Sequence, residues 1–183
     1  MILASQSPRR RELLAFIEPD FRVIPATGEE NIPEGMAPES AVKILALQKA
    51  QEVFAKHAGE IIIAADTVVS IDGVILGKPN NKAHAANMLR MLSGKLHNVY
   101  TGVCVIFENG KMELFCEETR VEFYPLSKKD IDTYIATGEP MDKAGAYGIQ
   151  EKGALLVKRI EGDFYNVMGL PVSRLARVLR SGK

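Results

Sequence analysis

Net charge is missing from this chain: Lys+Arg and Asp+Glu both number 23 in 183 residues, so no bulk field draws it to nucleic acid or an anionic membrane. Any anion site has to be local. Long hydrophobic runs are missing as well; they stop at about the length of Ile61–Ala65, far below the roughly 20 apolar residues that span a bilayer. The opening Met1-Ile2-Leu3-Ala4-Ser5 runs into Pro8 and three arginines and lacks the basic-then-apolar order of a secretory signal, so a cytoplasmic protein is expected. Cysteine is scarce: Cys104 and Cys116 fall in what look like neighbouring strands, without a CxxC pair, and read as buried reduced thiols. His57, His84 and His97 are spaced neither as HExxH nor as a facial cluster, which argues against zinc and leaves oxygen ligands for any metal. Repeats, low-complexity tracts and linkers are absent too. With 46% hydrophobic and 25% charged residues, the chain can build a core, and residues 1–183 read as a single domain.

What is present alternates between segment types. Ser7-Pro8 ahead of Arg-Arg-Arg-Glu-Leu-Leu-Ala-Phe predicts a helix with Ser7 as N-cap and Pro8 at its first position, after a short strand or loop. Phe21–Pro25 reads as a strand, the stretch to Pro38 as a loop, and Ser40–Lys56 as a helix in which Val42, Leu45, Ala46, Lys49 and Val53 share a face. Glu60–Asp66 predicts a strand buried on both faces that ends in the Asp66 carboxylate. Val68–Ile71 and Val74–Leu76 around Asp72-Gly73 predict a hairpin, and Val99–Glu108 with Met112–Tyr124 around Asn109-Gly110 a second one. Asn81–Ser93 and Ser127–Thr137 read as helices, the latter capped by Ser127 and ended by Gly138. After a glycine-rich loop come a strand at Leu155–Ile160 and a closing helix at Val172–Arg180. The class expected is α/β with a mixed sheet.

Several positions break local rules. Arg9, Arg10 and Arg11 crowd the positive end of a predicted helix, which disfavours cations by roughly 0.3–1 kcal/mol each. An anion would relieve them, since helix-end amides, the Ser5 and Ser7 hydroxyls and guanidinium forks together suit phosphate; the alternative is that they face solvent. Asp66, at the end of an apolar run, needs a partner, a proton or a metal, unless it merely caps a turn with Thr67. Glu29-Glu30 supplies carboxylates of the kind that hold magnesium or manganese beside phosphate, or else a solvated loop. Lys49 is a cation among apolar helix positions, and Lys78 sits in the short Gly77-Lys78-Pro79 loop; each is either a phosphate partner or a snorkelling or exposed lysine. Gly73–Lys78 has too few residues between its glycines, and Pro79 in the wrong place, for a P-loop. Asp142–Gln150 sets Tyr147 between two glycines and ends in an amide able to read a base edge; the alternative is a structural turn with Tyr147 in the core. Tyr165–Pro171 reads as packing as much as site.

As a set, Leu3-Ala4-Ser5-Gln6-Ser7-Pro8-Arg9-Arg10, Glu30, Lys49-Ala50, Ala65-Asp66-Thr67, Gly77-Lys78-Pro79, Asp142–Gln150 and Gly169-Leu170-Pro171 resemble the Maf proteins, and the match covers nearly the whole chain. The resemblance implies a two-lobed, inosine-triphosphatase-like (Maf/Ham1) fold with a mixed central sheet flanked by helices and a cleft between the lobes. It implies hydrolysis of a nucleoside triphosphate between the α- and β-phosphates with a divalent cation, Mg or Mn. Asp66 carries over as general base, Ser7, Arg9, Lys49 and Lys78 as partners of the triphosphate, with Ser5 beside them, and Glu30 with Asp66 as metal ligands. Many members have an Asp-Glu pair where this chain has Glu29-Glu30. One branch of the family acts on dTTP and UTP and another on 7-methyl-GTP; the pyrimidine branch carries Arg, Thr and Gln at its specificity positions, matched here by Arg10, Thr67 and Gln150. Arg11 matches no fixed position. The resemblance also implies a homodimer, whereas it is the zero net charge, with no basic, aromatic-studded face and no long apolar run, that argues against extended nucleic acid and a membrane partner. A regulator that binds nucleotide without turnover, tied to septum formation, is the rival expectation.

Overall fold

The computed structural model describes residues 1–28 and 35–182. In chain order, Ile2–Leu3 forms strand β1, Pro8–Leu14 helix α1, Arg22–Val23 β2, Pro38–Phe54 α2, Ile62–Ile71 β3, Val74–Leu76 β4, Lys82–Leu92 α3, Leu96–Ile106 β5, Met112–Phe123 β6, Lys128–Ala136 α4, Val157–Glu161 β7, Phe164–Met168 α5 and Val172–Ser181 α6. Short 3-10 turns at Glu139–Asp142, Ala144–Ala146 and Glu151–Leu156 fill the glycine-rich stretch before β7. The strands make one mixed sheet in the order β2-β1-β3-β5-β6-β7, with β4 added to β3. β1 runs parallel to β2 and β3, whereas β4 is antiparallel to β3 and β7 to β6.

Local chemistry accounts for the element ends. The Ser7 side chain caps α1 by accepting from the Arg10 amide, with Pro8 just inside, and Ser127 and Asp130 form a reciprocal capping box on α4. At the β3–β4 turn Asp72 and Gly73 have φ of 50° and 80°, the left-handed pair that a tight reversal between twisted strands demands. Two expectations need correction. The strand expected to end at Asp66 runs through it, because both Asp66 and Thr67 find polar partners inside the fold and neither has to leave the sheet for water. Asp66 is therefore a mid-strand residue. The strand expected from Leu155 starts at Val157 instead, since Leu155 lies in a 3-10 turn with its side chain exposed. Helix α5 leaves no periodic signal in the sequence, since five residues are too few for a hydrophobic period to show.

The chain divides into two compact units, the first made of Met1–Thr67, Thr101–Glu117 and Gly169–Lys183, the second of Val68–Tyr100 and Glu118–Met168. In the first unit Ala46, Ala50 and Val53 of α2 pack with Ile2, Ala4, Ile62, Ala64, Cys104 and Ile106 of the sheet, each large aliphatic side chain contributing about 1.5–3 kcal/mol by leaving water. Gly102 on β5 lets the α2 backbone come close to the strand. A Cβ built on Gly102 would lie 2.4 Å from the Val42 carbonyl carbon and oxygen and 2.7 Å from the Lys43 nitrogen. In the second unit Ala85, Leu89 and Leu92 of α3 and Ile131, Tyr134 and Ile135 of α4 join Val99, Val121, Phe123 and Tyr147 in another core.

Candidate functional site

Within the first unit, the loop after β1, the start of α1, the middle of β3 and the segment before α6 meet through one guanidinium. Arg10 Nε donates to the Gly169 carbonyl at 2.9 Å, Nη1 to Ser5 Oγ at 3.3 Å and Nη2 to Thr67 Oγ1 at 3.0 Å. A fixed planar fork suits such a task as no ammonium could. Ser5 Oγ also accepts from the Ser7 amide at 3.2 Å, and the Thr67 and Thr101 hydroxyls are 2.9 Å apart. Ser5 and Thr101 are buried. Arg9 is half-buried on the same first turn, and Arg11 is exposed.

Beside this network Lys49 Nζ donates to Asp66 Oδ1 at 2.6 Å, with 16% and 12% of the two side chains exposed. Each residue was an anomaly in its own segment, a cation among apolar helix positions and a carboxylate in an apolar strand, and the fold makes them answer one another. Oδ2 of Asp66 takes no hydrogen bond from the described residues and remains available as an acceptor. One turn on from Lys49 along α2, Glu52 accepts from the Thr27 amide at 3.0 Å, the Thr27 hydroxyl at 2.9 Å and the Gly28 amide at 2.9 Å. These bonds hold its carboxyl below the usual range. Glu29 and Glu30 lie outside the described residues.

The second unit holds Lys78 and Gln150. Lys78 is exposed after β4, in a loop whose Gly77 carbonyl accepts from the Gly145 amide at 3.0 Å. Gln150 is half-buried at the entrance to the Glu151–Leu156 turn. The path of the chain leading to it is fixed by side chains that sequence reasoning did not single out. Tyr134 Oη accepts from the Gly148 amide at 3.0 Å, and Glu139 Oε2 from the Gly153 amide at 3.3 Å. A Cβ on Gly153 would sit 1.9 Å from the Gly148 oxygen. Lys143 donates to the Glu139 carbonyl and to Asp142, and Tyr147 belongs to the core, with its hydroxyl 2.8 Å from His97 Nε2 and its ring edge-to-face with Phe123. Burial pulls the His97 pKa from 6.5 down to about 4, so the ring is neutral.

Thr101, Glu52, Tyr134 and Glu139 are thus the residues missed. Only Thr101 carried a signal, a hydroxyl amid the apolar residues of β5. Cys104 on β5 is a buried free thiol, as expected, whereas Cys116 on β6 is free but only half-buried; burial pushes the pKa of each up to about 12, which favours the protonated thiol at neutral pH.

Three comparisons bear on this arrangement. The family model described as Maf-like protein matches residues 1–182. A dTTP/UTP pyrophosphatase of Bacillus velezensis is 53% identical over 180 residues, covering 98% of this chain and 95% of the relative; one from a Geobacillus species is 51% identical, covering 98% and 96%. Among solved structures, the Staphylococcus aureus Ham1 protein superposes with a TM-score of 0.57 at 16% identity, covering 100% of this chain and 98% of that one. At that identity the likeness concerns the fold, and it bears out the Ham1-like architecture. Full-length agreement with the family model, at about half identity to the bacterial relatives, settles the kinship: the chain belongs to the Maf family.

Proposed function

We propose that this protein hydrolyses dTTP and UTP to the nucleoside monophosphate and pyrophosphate. The observation that carries the reading is the Lys49–Asp66 pair, a buried carboxylate oriented through Oδ1 by an ammonium while Oδ2 keeps a lone pair for a water proton. The relatives' names supply the substrate class.

In this reading Asp66 Oδ2 takes the proton of the attacking water, and the Lys49 ammonium holds the carboxylate and meets the negative charge that grows on the phosphate oxygens. Ser7 and Arg9 of the first turn of α1 donate to the triphosphate. Arg10 and Thr67 discriminate the base. For Lys78 and Gln150 the assignment rests on the family resemblance, a point charge for phosphate and an amide for a base edge. The chemistry is positioning and electrostatics, with no covalent intermediate.

A divalent Mg or Mn ion suits the donor set. The assignment comes from the family resemblance; Asp66 supplies hard oxygen, and an ion of this kind takes one or two carboxylates and completes its shell with phosphate and water. Asp66 and Glu30 would hold it, and when bound it neutralises phosphate charge and acidifies water. Cytoplasmic residence accords with the two free thiols, and among the described residues no helix is long and apolar enough to cross a membrane. A homodimer rests on the resemblance alone and is checked by light scattering.

The test is a panel of nucleoside triphosphates with Mg or Mn, read for monophosphate and pyrophosphate. Turnover chiefly of dTTP and UTP that falls about 10²–10⁴-fold in Asp66→Asn is expected. Normal turnover in that variant would refute the role of Asp66, and turnover of 7-methyl-GTP alone would refute the substrate.

A further inference from the structure

Thr101 is fully buried in β5, yet it carries a hydroxyl 2.9 Å from Thr67 Oγ1. A guanidinium has donors and no acceptor, so the 3.0 Å contact between Arg10 Nη2 and Thr67 occupies one lone pair of the Thr67 oxygen. Thr101 takes up a second capacity of that oxygen, either its other lone pair or its proton. Thr67 is then left with one hydrogen-bonding function for a ligand, of one polarity, where a free hydroxyl would offer both. The same bond fixes the rotamer of Thr67 and with it one arm of the Arg10 fork, whose other arms reach Ser5 and Gly169.

We propose that Thr101 is a positioning residue for base selection: it never touches the nucleotide, but through Thr67 it sets the polarity and place of the groups that do. This rests on the assignment of Arg10 and Thr67 as base-discriminating residues made above. A site built to meet one polarity rejects the wrong base by leaving a buried polar group unpaired.

The test compares Thr101→Val, which keeps the branched shape without the hydroxyl, with Thr101→Ser, which keeps the hydroxyl. In the full-length enzyme, Thr101→Val should lower the kcat/KM ratio of dTTP over GTP by about tenfold, through KM for dTTP more than through kcat, while Thr101→Ser stays within about twofold of the parent. A merely structural Thr101 would reduce both nucleotides alike. An unchanged ratio in folded Thr101→Val, or equal damage from Thr101→Ser, overturns the proposal; if the valine variant does not fold, Thr101→Ala is read against Thr101→Ser in the same way. A second measurement needs no turnover. The Arg10 Nε–H, donated to Gly169, gives a proton–nitrogen resonance that should shift and exchange several-fold faster with solvent when the Thr101 hydroxyl is lost, and an unmoved resonance overturns the proposal whatever the kinetics show. Failure of the parent protein to convert dTTP would instead defeat the proposed function and leave the resonance to decide on Thr101.

Discussion

Gly102→Ala tests how closely α2 must approach the sheet. The added methyl would lie 2.4 Å from the Val42 carbonyl carbon and oxygen and 2.7 Å from the Lys43 nitrogen, where non-bonded carbon atoms rest at about 3.5–4.0 Å. The obstacle is backbone, so no side-chain rotation relieves it, and α2 has to retreat by about 1 Å. Such a gap forfeits a quarter to a half of each dispersion contact along the seam, and here the seam includes Ala46, Ala50 and Val53. Overpacking of this kind costs about 1–3 kcal/mol, and a rigid obstacle places Gly102→Ala near the top, about 3 kcal/mol. For a chain of this size that lowers Tm by about 6–12 °C. The same retreat draws Lys49 away from Asp66, and a 1 Å misplacement can cost about 10²-fold in rate, so pyrophosphate release should fall with stability. Urea unfolding followed by circular dichroism gives the free energy, with Gly77→Ala, whose new methyl meets nothing within 4 Å, as the control. A loss below about 0.5 kcal/mol in Gly102→Ala, the range of an innocuous surface change, would show that α2 does not approach Gly102 as closely as described.

Three further outcomes follow from the same geometry. Lys49→Met strands the Asp66 carboxylate in a mostly buried setting and should destabilise by about 3 kcal/mol, whereas adding Asp66→Asn removes the stranded charge and should recover part of that loss in urea titrations; a double variant as unstable as the sum of the singles would mean that the pair is not coupled. His97 titrates at 6.5 when unfolded but near 4 when folded because of burial, so the unfolded chain takes up its proton first as pH falls. Stability from this group is complete above pH 6.5 and drains away towards pH 4, by about 2 kcal/mol between pH 7.5 and 5. His97→Gln should flatten that part of the pH profile, and an equally steep profile would acquit His97. Finally, Gln150→Glu should lower dTTP turnover relative to GTP if the amide reads the base; an unchanged ratio removes Gln150 from that role.

Much of the fold was legible because it is written in local signals. Ser7-Pro8, Ser127 and Asp72-Gly73 each specify a backbone conformation within four residues, and the structure uses all three. The candidate site was legible as anomalies, since Lys49 and Asp66 were each misplaced by the standards of their own segments. What could not be read is the partner that resolves each anomaly. The Arg10–Gly169 bond joins residues 159 apart in sequence and the Thr67–Thr101 bond residues 34 apart, and no periodicity encodes such pairings. Asp66 reads as a strand end for the same reason: a polar residue interrupts a buried strand only when the fold fails to supply its partner, and here α2 supplies it.

The contact between Gly153 and the Gly148 carbonyl bears on how this protein could change over time. With 1.9 Å separating that oxygen from a would-be Cβ, any side chain at position 153 breaks the loop, and an insertion between the two glycines would displace the Gly148 and Gly153 amides from Tyr134 and Glu139. The route of the backbone around Gln150 is thereby frozen while the side chain displayed there is half-exposed and replaceable. On the proposed role of Gln150, divergence in substrate preference should therefore proceed by single exchanges on a rigid frame, so that new specificities lie a codon away and old ones are recovered by reversion, without the loss of foldedness that a remodelled loop would bring.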